Sequence, residues 1–180
     1  IGDFDDSKDI NLIAATMRPE TMFGLSNLWV HPELEYGLYQ HEYESVNDYV
    51  IMLPRAAKNL MYQDHKLILV KLVKGQELIG LKVTQCQIVN PIPILPMLQI
   101  NDSKGTGIVS SVPTESPDDY LNLVVLQNKD HPYTKEMERK YGELNELAKD
   151  CSPVKIIDVG DSDQIAIDFC QTNGYKNPKA

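Results

Sequence analysis

Apolar residues in this chain gather in short runs separated by glycine, proline and charged positions. The runs at 10–16, 27–31, 66–73, 81–87, 94–100 and 108–112 are compact and β-compatible, which is typical of strands. The glycines at 75 and 80 and the prolines of NPIPILP are interpreted as breaks between these strands. The pattern therefore predicts that strands dominate the middle of the chain.

Helix signals flank this strand-rich region. Pro54 opens the stretch PRAAKNLMYQD, where proline at a first helical position favours a helix. Ser116, Pro117, Asp118 and Asp119 supply an N-cap, a first-turn proline and first-turn acids for a helix through about residue 126, and 135–149 is interpreted as a charged surface helix. The predicted fold class is α/β, with a mixed, mostly antiparallel β-barrel core and peripheral helices.

Composition narrows the class of protein. The 180 residues are 42% hydrophobic and 24% charged, which favours one globular domain. The net charge of −9 argues against strong sequence-independent binding of nucleic acid, because neutralising phosphates requires surplus Lys and Arg. The cysteines at 86, 151 and 170 are odd in number and widely spaced, so a reducing compartment is expected. No signal or membrane-spanning segment is evident, so a cytoplasmic location without a membrane partner is expected.

Several kinds of site lack their sequence signature. The four histidines have no metal-site spacing, so neither a metal nor another cofactor is expected. No Gly-x-Ser-x-Gly motif accompanies a serine nucleophile. Gly105, Thr106 and Gly107 are not followed by the Gly-Lys-Ser/Thr of a phosphate loop. These observations leave covalent catalysis and nucleoside-triphosphate binding without support.

Two polar segments remain as candidates. The first polar segment is ATMRPETMFG (15–24), and the second is GTGIVSSVPTESPDDY (105–120). Each adjoins the end of a predicted strand, where polar groups can converge on a ligand while the strands hold them rigid. From spacing alone, turn caps, a solvated Arg18 and Glu20 pair, and helix-charge compensation by Asp119 remain alternative interpretations.

The two segments together resemble one family. They are similar to the threonine-rich motif and the Gly-Thr-Gly plus aspartate motif of the editing domain of class I aminoacyl-tRNA synthetases of the leucyl, isoleucyl and valyl group. The stretches NLWVHPEL and SVPTESPDD most resemble the cytosolic eukaryotic leucyl type. The similarity covers about 10–126, and 135–171 resembles a eukaryotic-type insertion. The resemblance implies a single editing domain over 1–180, with a core at about 10–126 and an insertion at about 127–175.

The resemblance also implies a reaction, which is hydrolysis of the ester that joins a wrong amino acid to the terminal adenosine of leucine tRNA. A hydrophobic synthetic pocket separates analogues that differ by one methylene by only ~1–3 kcal/mol, so a second, hydrolytic site is needed. Leucylation and ATP binding would reside elsewhere in the parent enzyme. The implied partners are the 3′ terminal adenosine of aminoacylated leucine tRNA and the remainder of the synthetase, with the isolated domain expected to be a monomer that binds tRNA weakly.

Roles follow residue by residue from the resemblance. Asp119 is expected to bind the α-ammonium of the amino acid, and Thr21 to exclude leucine by its volume. Thr16 and Arg18 are expected near the ester and the terminal nucleotide. The expected catalytic residues are thus Thr16, Arg18, Thr21 and Asp119. The expected substrate-binding residues are Met17, Gly105, Thr106, Gly107, Ser110, Val112 and, again, Asp119. No general base is identified, and a positioned water is the expected nucleophile.

Three alternatives remain open at this point. A valyl- or isoleucyl-type editing domain would share the mechanism but reject a different amino acid. A tRNA- or protein-docking domain would keep the fold without catalysis. An unrelated nucleotide-binding protein would require the phosphate loop that is missing here. Lys104, Arg55 and Lys58 are weaker candidates for tRNA contact, and solvated surface is the favoured interpretation for each.

Overall fold

The computed structural model describes residues 8–43, 46–85, 88–156 and 164–178. Within them the chain forms two four-stranded sheets and a group of helices. The strands are β1 (Ile10–Leu12), β2 (Asn27–Val30), β3 (Glu35–Tyr43), β4 (Val46–Met52), β5 (Lys66–Lys74), β6 (Lys82–Gln85), β7 (Ile88–Pro96) and β8 (Ile108–Ser111). The α-helices are α1 (Pro54–Met61), α2 (Pro117–Gln127), α3 (Pro132–Tyr141), α4 (Leu144–Ala148) and α5 (Ile165–Thr172), and short 3-10 helices lie at Pro19–Gly24 and Gly75–Glu77.

The strand order is β1-β4-β3-β5 in the first sheet and β6-β7-β2-β8 in the second. Two pairs are parallel, β1 with β4 and β2 with β7, and the other described pairs are antiparallel. The predicted mixed, mostly antiparallel α/β fold is therefore confirmed. The predicted closed barrel is wrong for the described residues, because β1 and β5 remain edges of one sheet and β6 and β8 edges of the other.

The sheets face each other instead of closing into one. Alternate residues of each strand point to opposite faces, so Leu28 and Val30 of β2 enter the cluster between the sheets, together with Leu38 and Ile51 from the first sheet. Trp29, between them, points to the other face and packs with helix residues. A third cluster joins α1 to the outer face of the first sheet. The layers are thus α1, first sheet, second sheet, and the helices α2 to α5.

Several predicted boundaries need correction. The strand predicted at 10–16 ends at Leu12. The strand predicted at 94–100 lies instead at Ile88–Pro96, with all three of the supposed strand-breaking prolines of NPIPILP inside it. Proline is tolerated where no ladder N–H is required, and here Ile94 N and Met97 N donate to Leu81 O and Val30 O. The strand predicted at 81–87 is described only to Gln85, with 86 and 87 outside the described residues.

The helix predicted at 135–149 is two helices. Helix α3 ends at Tyr141 and α4 begins at Leu144, with Gly142 between them at a φ of 90°. A left-handed φ of this kind interrupts a right-handed helix and is readily adopted by glycine. The charged sequence alone does not show that break. Strands β3 and β4 and helix α5 had no prediction from the sequence.

Candidate functional site

The second polar segment begins at the mouth of a cavity. This cavity, of about 390 Å³, lies where the loop after β7, the start of β8 and the start of α2 meet, and we call it the helix-start cavity. Gly105, Thr106, Gly107 and Asp119 line it, and so does Ala15 from the first polar segment. Four of the predicted site residues therefore share one cavity with the edge of the other segment.

Helix α2 starts as the sequence predicts. Ser116 is the N-cap, and its hydroxyl accepts a hydrogen bond from Asp119 N at 3.3 Å, while Pro117 occupies the first turn. Such a cap satisfies a backbone N–H that has no partner within the helix. Asp118 is exposed in the first turn, which fits charge compensation of the helix dipole. Asp119 follows it and points to the interior.

Asp119 is a buried carboxylate with both oxygens bound. Its side chain is held by Trp29 Nε1, which donates to Oδ1 at 2.9 Å, and by Val112 N, which donates to Oδ2 at 3.0 Å. The residue is only 5% exposed. Burial raises the pKa of Asp119 to about 6, although the hydrogen bonds from Val112, Ser116 and Trp29 oppose that rise. A carboxylate oxygen can accept more than one hydrogen bond, so Asp119 retains capacity to bind a cation in the cavity.

The Gly-Thr-Gly backbone is fixed by side chains from two other elements. Gly107 has a φ of 80°, and a Cβ there would lie 2.4 Å from Leu53 Cγ, so this turn requires glycine. Its carbonyl accepts a hydrogen bond from Tyr36 Oη at 2.8 Å. Arg55 on α1 donates to Asp102 O at 3.0 Å and to Gly105 O at 3.2 Å. Arg55 is solvent-exposed, as the favoured interpretation expects, and its guanidinium also holds the loop that lines the cavity.

The first polar segment is held mainly by its own hydrogen bonds. Thr16 Oγ1 accepts from Arg18 N at 3.0 Å, and Thr21 Oγ1 donates to Arg18 O at 2.6 Å. Thr16 is exposed, Met17 is 99% exposed and Thr21 is only 6% exposed. The segment thus forms a compact turn that leads into the 3-10 helix at Pro19–Gly24. Thr21 alone of its predicted site residues is buried.

Arg18 connects the two polar segments. Its Nε donates to Glu20 at 2.8 Å, and its Nη2 donates to Glu115 at 3.3 Å across 97 residues of sequence. Hydrogen bonds to Glu20 and Glu115 raise the pKa of Arg18. The Arg18 side chain is 51% exposed, whereas the Glu115 side chain is 6% exposed. The guanidinium is therefore anchored at Nε and Nη2, while about half of the side chain remains exposed to solvent.

Ser110 and Val112 do not line the helix-start cavity. Ser110 faces the opposite side of β8 from Val109. It lines a second opening of about 500 Å³, which we call the intersheet cleft, and Ala14 and Met22 line the same opening. Val112 is 8% exposed in the cluster between the sheets, and its contribution to the site is the backbone N–H that Asp119 accepts. Since Met22 lines the cleft and Ala15 lines the cavity, the first polar segment contributes to both openings.

Two histidines that are distant in sequence meet in the first sheet. His41 Nε2 and His65 Nδ1 are 2.9 Å apart, and the Tyr43 ring stacks on His65 with centroids 4.1 Å apart. Desolvation, together with the neighbouring His65, lowers the pKa of His41. Among the described residues, no group of three or more His, Cys, Asp and Glu side chains lies close enough to bind a metal ion.

Comparisons with known proteins identify relatives of this chain. No protein-family model matches it. It is 37% identical over 171 residues to the cytoplasmic leucine–tRNA ligase of Pongo abelii, covering 91% of this chain. The crystal structure of GlLeuRS-CP1 superposes with a TM-score of 0.82 at 32% identity, over 94% of this chain and 65% of that one. The chain belongs to the leucyl-tRNA synthetase family.

Its fold is that of the family's editing region. The editing domain of the P. falciparum cytosolic leucyl-tRNA synthetase has a TM-score of 0.82 to this chain over 96% of its length, at 20% identity. The chain spans 14% of the length of the Pongo abelii synthetase. In the part of the chain that the structure describes, every helix is too short or too polar to cross a bilayer.

Two residues of this leucyl-tRNA synthetase region had no role from the sequence. Trp29 and Tyr36 are both fully buried and hydrogen-bonded to the second polar segment, Trp29 through Asp119 and Tyr36 through Gly107. A buried Trp or Tyr usually finds a partner for its polar group. Trp29 lies in the apolar run predicted as a strand at 27–31, whereas Tyr36 lies in a stretch that had no prediction. Neither position indicates which acceptor the side chain reaches.

Proposed function

We propose that this chain is the editing domain of a leucyl-tRNA synthetase and hydrolyses the aminoacyl ester of mischarged leucine tRNA. The observation that carries the proposal is the buried Asp119 carboxylate at the wall of the helix-start cavity, fixed by two N–H donors. Every aminoacyl-tRNA presents an α-ammonium beside its ester, and a fixed carboxylate binds it by charge-assisted hydrogen bonds. The family relationship supplies the substrate class.

The adenosine end is assigned to the same cavity. Gly105, Thr106 and Gly107 form its rim, and Lys104 lines it as well. Backbone bends at Gly105 and Gly107, both with positive φ, allow a flat base to approach the main chain closely. Arg18, anchored by Glu20 and Glu115, is proposed to face a phosphate or the ribose. We therefore assign the 3′ terminal adenosine of the tRNA to this rim.

Hydrolysis is proposed to depend on the positioning of a water molecule against the ester. A water held by the Thr16 hydroxyl, backbone groups and the vicinal ribose hydroxyl of the substrate attacks the ester carbonyl, and the ribose oxygen leaves with a proton. Bringing water and ester together in a fixed orientation accounts for a large part of the rate of such reactions. Met17 carries no hydroxyl, so the step does not use one at that position.

Leucine is proposed to be excluded by Thr21. Its hydroxyl donates to Arg18 O, so the group left to meet a ligand side chain is the methyl. A methyl in fixed backbone geometry rejects the branched leucine side chain by contact, and admits unbranched or differently branched errors such as norvaline and isoleucine. We assign Ser110 and the other residues of the intersheet cleft to the pocket lining. They lie on the opposite side of the first polar segment from the helix-start cavity.

The domain is proposed to work as one unit within a cytoplasmic synthetase, with its core at about 10–126 and its insertion at about 127–175. Helices α3 and α4 pack against α2 through Leu126, Met137 and Leu144, which supports one domain rather than two. As an isolated domain it is proposed to be a monomer. ATP binding and leucylation belong to the remainder of the synthetase.

The decisive experiment measures deacylation of leucine tRNA charged with isoleucine, norvaline or leucine by the synthetase that carries this chain. A leucyl-type editing domain is expected to hydrolyse isoleucyl- and norvalyl-tRNA and to leave leucyl-tRNA intact. Hydrolysis of none would remove the enzymatic assignment and leave a docking domain. Hydrolysis of leucyl-tRNA at a similar rate would remove the leucyl-type specificity.

A further inference from the structure

Trp29 connects the hydrophobic cluster beneath α2 with Asp119 in the helix-start cavity. It lies on β2, is fully buried, and packs with Leu95, Leu123 and Leu126. Its indole N–H crosses from this cluster to Asp119 Oδ1 at 2.9 Å, although the two residues are 90 positions apart. The indole N–H is a donor only, so this bond has a fixed direction.

We propose that Trp29 is a positioning residue for the editing reaction, whose indole N–H holds the Asp119 carboxylate so that its remaining lone pairs face the helix-start cavity. The inference rests on the proposed function, because it assigns Asp119 to the α-ammonium of the substrate. Trp29 acts through Asp119 and touches neither the substrate nor the ester.

The geometry fixes both ends of the carboxylate. Val112 N binds Oδ2 at 3.0 Å while Trp29 binds Oδ1, so rotation of the carboxyl group would break a bond at each oxygen. Ser116 caps the backbone from which Asp119 projects. Of the two N–H donors to the carboxylate, only Trp29 is a side chain, so it is the one that a substitution can remove without altering the main chain.

The same bond favours the ionised carboxylate. Desolvation raises the pKa of Asp119, the neighbouring Asp118 raises it further, and the Trp29 hydrogen bond lowers it. The other charged residues that line the cavity are Asp118, beside Asp119 on α2, and Lys104, on the loop before β8. Loss of the indole donor should therefore leave Asp119 protonated to a higher pH.

The first test is the pH dependence of editing by Trp29→Phe in the full synthetase, with isoleucyl- and norvalyl-tRNA as substrates. Phenylalanine keeps a ring in the pocket and removes the N–H. Because a hydrogen bond to a charged group is lost, the acid limb of kcat/KM should move upward by about one to two pH units, with activity approaching that of the wild type at higher pH. An unmoved acid limb in a folded, active Trp29→Phe enzyme overturns the positioning role.

Thr134→Val is the matched control. Thr134 is fully buried and donates to Val125 O at 2.6 Å between α3 and α2, so its substitution also removes a buried side-chain hydrogen bond behind the site. It should lower thermal stability and leave the acid limb in place. If both variants shift the acid limb equally, the Trp29 effect is general destabilisation and the inference fails.

A second measurement does not depend on the folding of a Trp29 variant. Trp29 is the sole tryptophan of the 180 residues, so fluorescence of this chain reports on its indole. Protonation of Asp119 removes the charge beside the indole N–H, and the emission should change with a midpoint near pH 6. Asp119→Asn should abolish that transition, and a transition that persists in Asp119→Asn contradicts the coupling.

The two proposals fail separately. A wild-type synthetase that deacylates none of the mischarged tRNAs removes the proposed function, and the positioning role with it. A wild-type enzyme that edits, an Asp119→Ala enzyme that does not, and a Trp29→Phe enzyme with an unchanged profile leave the function standing and overturn only the role of Trp29.

Discussion

The two polar segments are built in opposite ways. The first, 15–24, is largely exposed, and its hydroxyls bond mainly to its own backbone. The second, 105–120, places Asp119 and Val112 in the interior and is tied to β2, β3 and α1 by Trp29, Tyr36 and Arg55. Buried and cross-linked groups hold their positions more tightly than a solvated turn. This difference fits the proposed roles, in which the second segment binds the α-ammonium and the first selects the amino-acid side chain.

The largest effect is expected at Asp119. Asp119→Ala removes the buried carboxylate that is proposed to bind the α-ammonium, which should slow hydrolysis of isoleucyl-tRNA by roughly 30-fold to several thousandfold, equivalent to about 2–5 kcal/mol. Steady-state deacylation by the synthetase measures it. Asp118→Ala, at the exposed neighbouring position, is the control and should keep near-normal activity. Equal loss in both variants would show that the helix start matters as a whole.

The rigidity of the second segment is tested by its two glycines. Gly107→Ala adds a Cβ that would lie 2.4 Å from Leu53 Cγ at a φ of 80°, and should destabilise the fold by roughly 2–5 kcal/mol. Gly105→Ala meets no atom within 4 Å at a φ of 56° and should cost only ~1–2 kcal/mol. Urea denaturation measures both. A larger loss for Gly105→Ala would contradict the described packing of this turn.

The burial of Asp119 predicts that the free energy of unfolding depends on pH. Its pKa rises from 3.8 to about 6 on folding, so the folded state takes up the proton more readily than the unfolded state. The resulting stabilisation is fully present below pH 3.8, falls as pH rises, and is lost above about pH 6; it amounts to ~3 kcal/mol as an order of magnitude. Comparing the free energy of unfolding of the wild type and Asp119→Asn at pH 4.5 and 7 isolates it, because other groups cancel. A difference that is constant with pH would contradict the raised pKa.

Thr21 tests the selective role of the first segment. Thr21→Ala should allow hydrolysis of leucyl-tRNA with a gain of roughly 10–200-fold, equivalent to ~1–3 kcal/mol, and change isoleucyl-tRNA hydrolysis much less. Thr21→Val preserves the volume and should still spare leucine. Thr21→Ser keeps the hydroxyl that binds Arg18 O but lacks the methyl, so exclusion by volume predicts leucine hydrolysis. If Thr21→Ser spares leucine while Thr21→Val does not, the hydroxyl and not the methyl discriminates.

The smallest effect is expected at Arg18. The pair with Glu20 is exposed on both sides and contributes little to stability. The pair with Glu115 joins a half-exposed guanidinium to a carboxylate side chain that is only 6% exposed, so Arg18→Ala should lower the melting temperature modestly. Its proposed contact with the tRNA end predicts a higher KM for mischarged tRNA at a similar kcat. Arg18→Lys keeps the charge but loses the planar fork, and should recover only part of the affinity. An unchanged KM in Arg18→Ala would remove the contact.

The sequence by itself determined the local features and the family. The start of α2 at Ser116 and Pro117 follows from the short-range chemistry of capping, and β2, β5 and β8 follow from apolar runs bounded by turn residues. The order of the two polar segments was enough to indicate the editing family. Each cap, run or motif is a pattern of neighbouring residues, so none of these signals requires knowledge of what the chain packs against.

The tertiary structure decided which distant residues meet. Trp29 reaches Asp119 across 90 positions, Arg18 reaches Glu115 across 97, and Arg55 reaches Gly105 across 50. The separation into two facing sheets, the prolines inside β7 and the placement of Ser110 in the intersheet cleft depend on which strands pair. Strand pairing and burial are set by the whole chain, because each strand face must find an apolar partner surface and each buried polar group a hydrogen-bond partner.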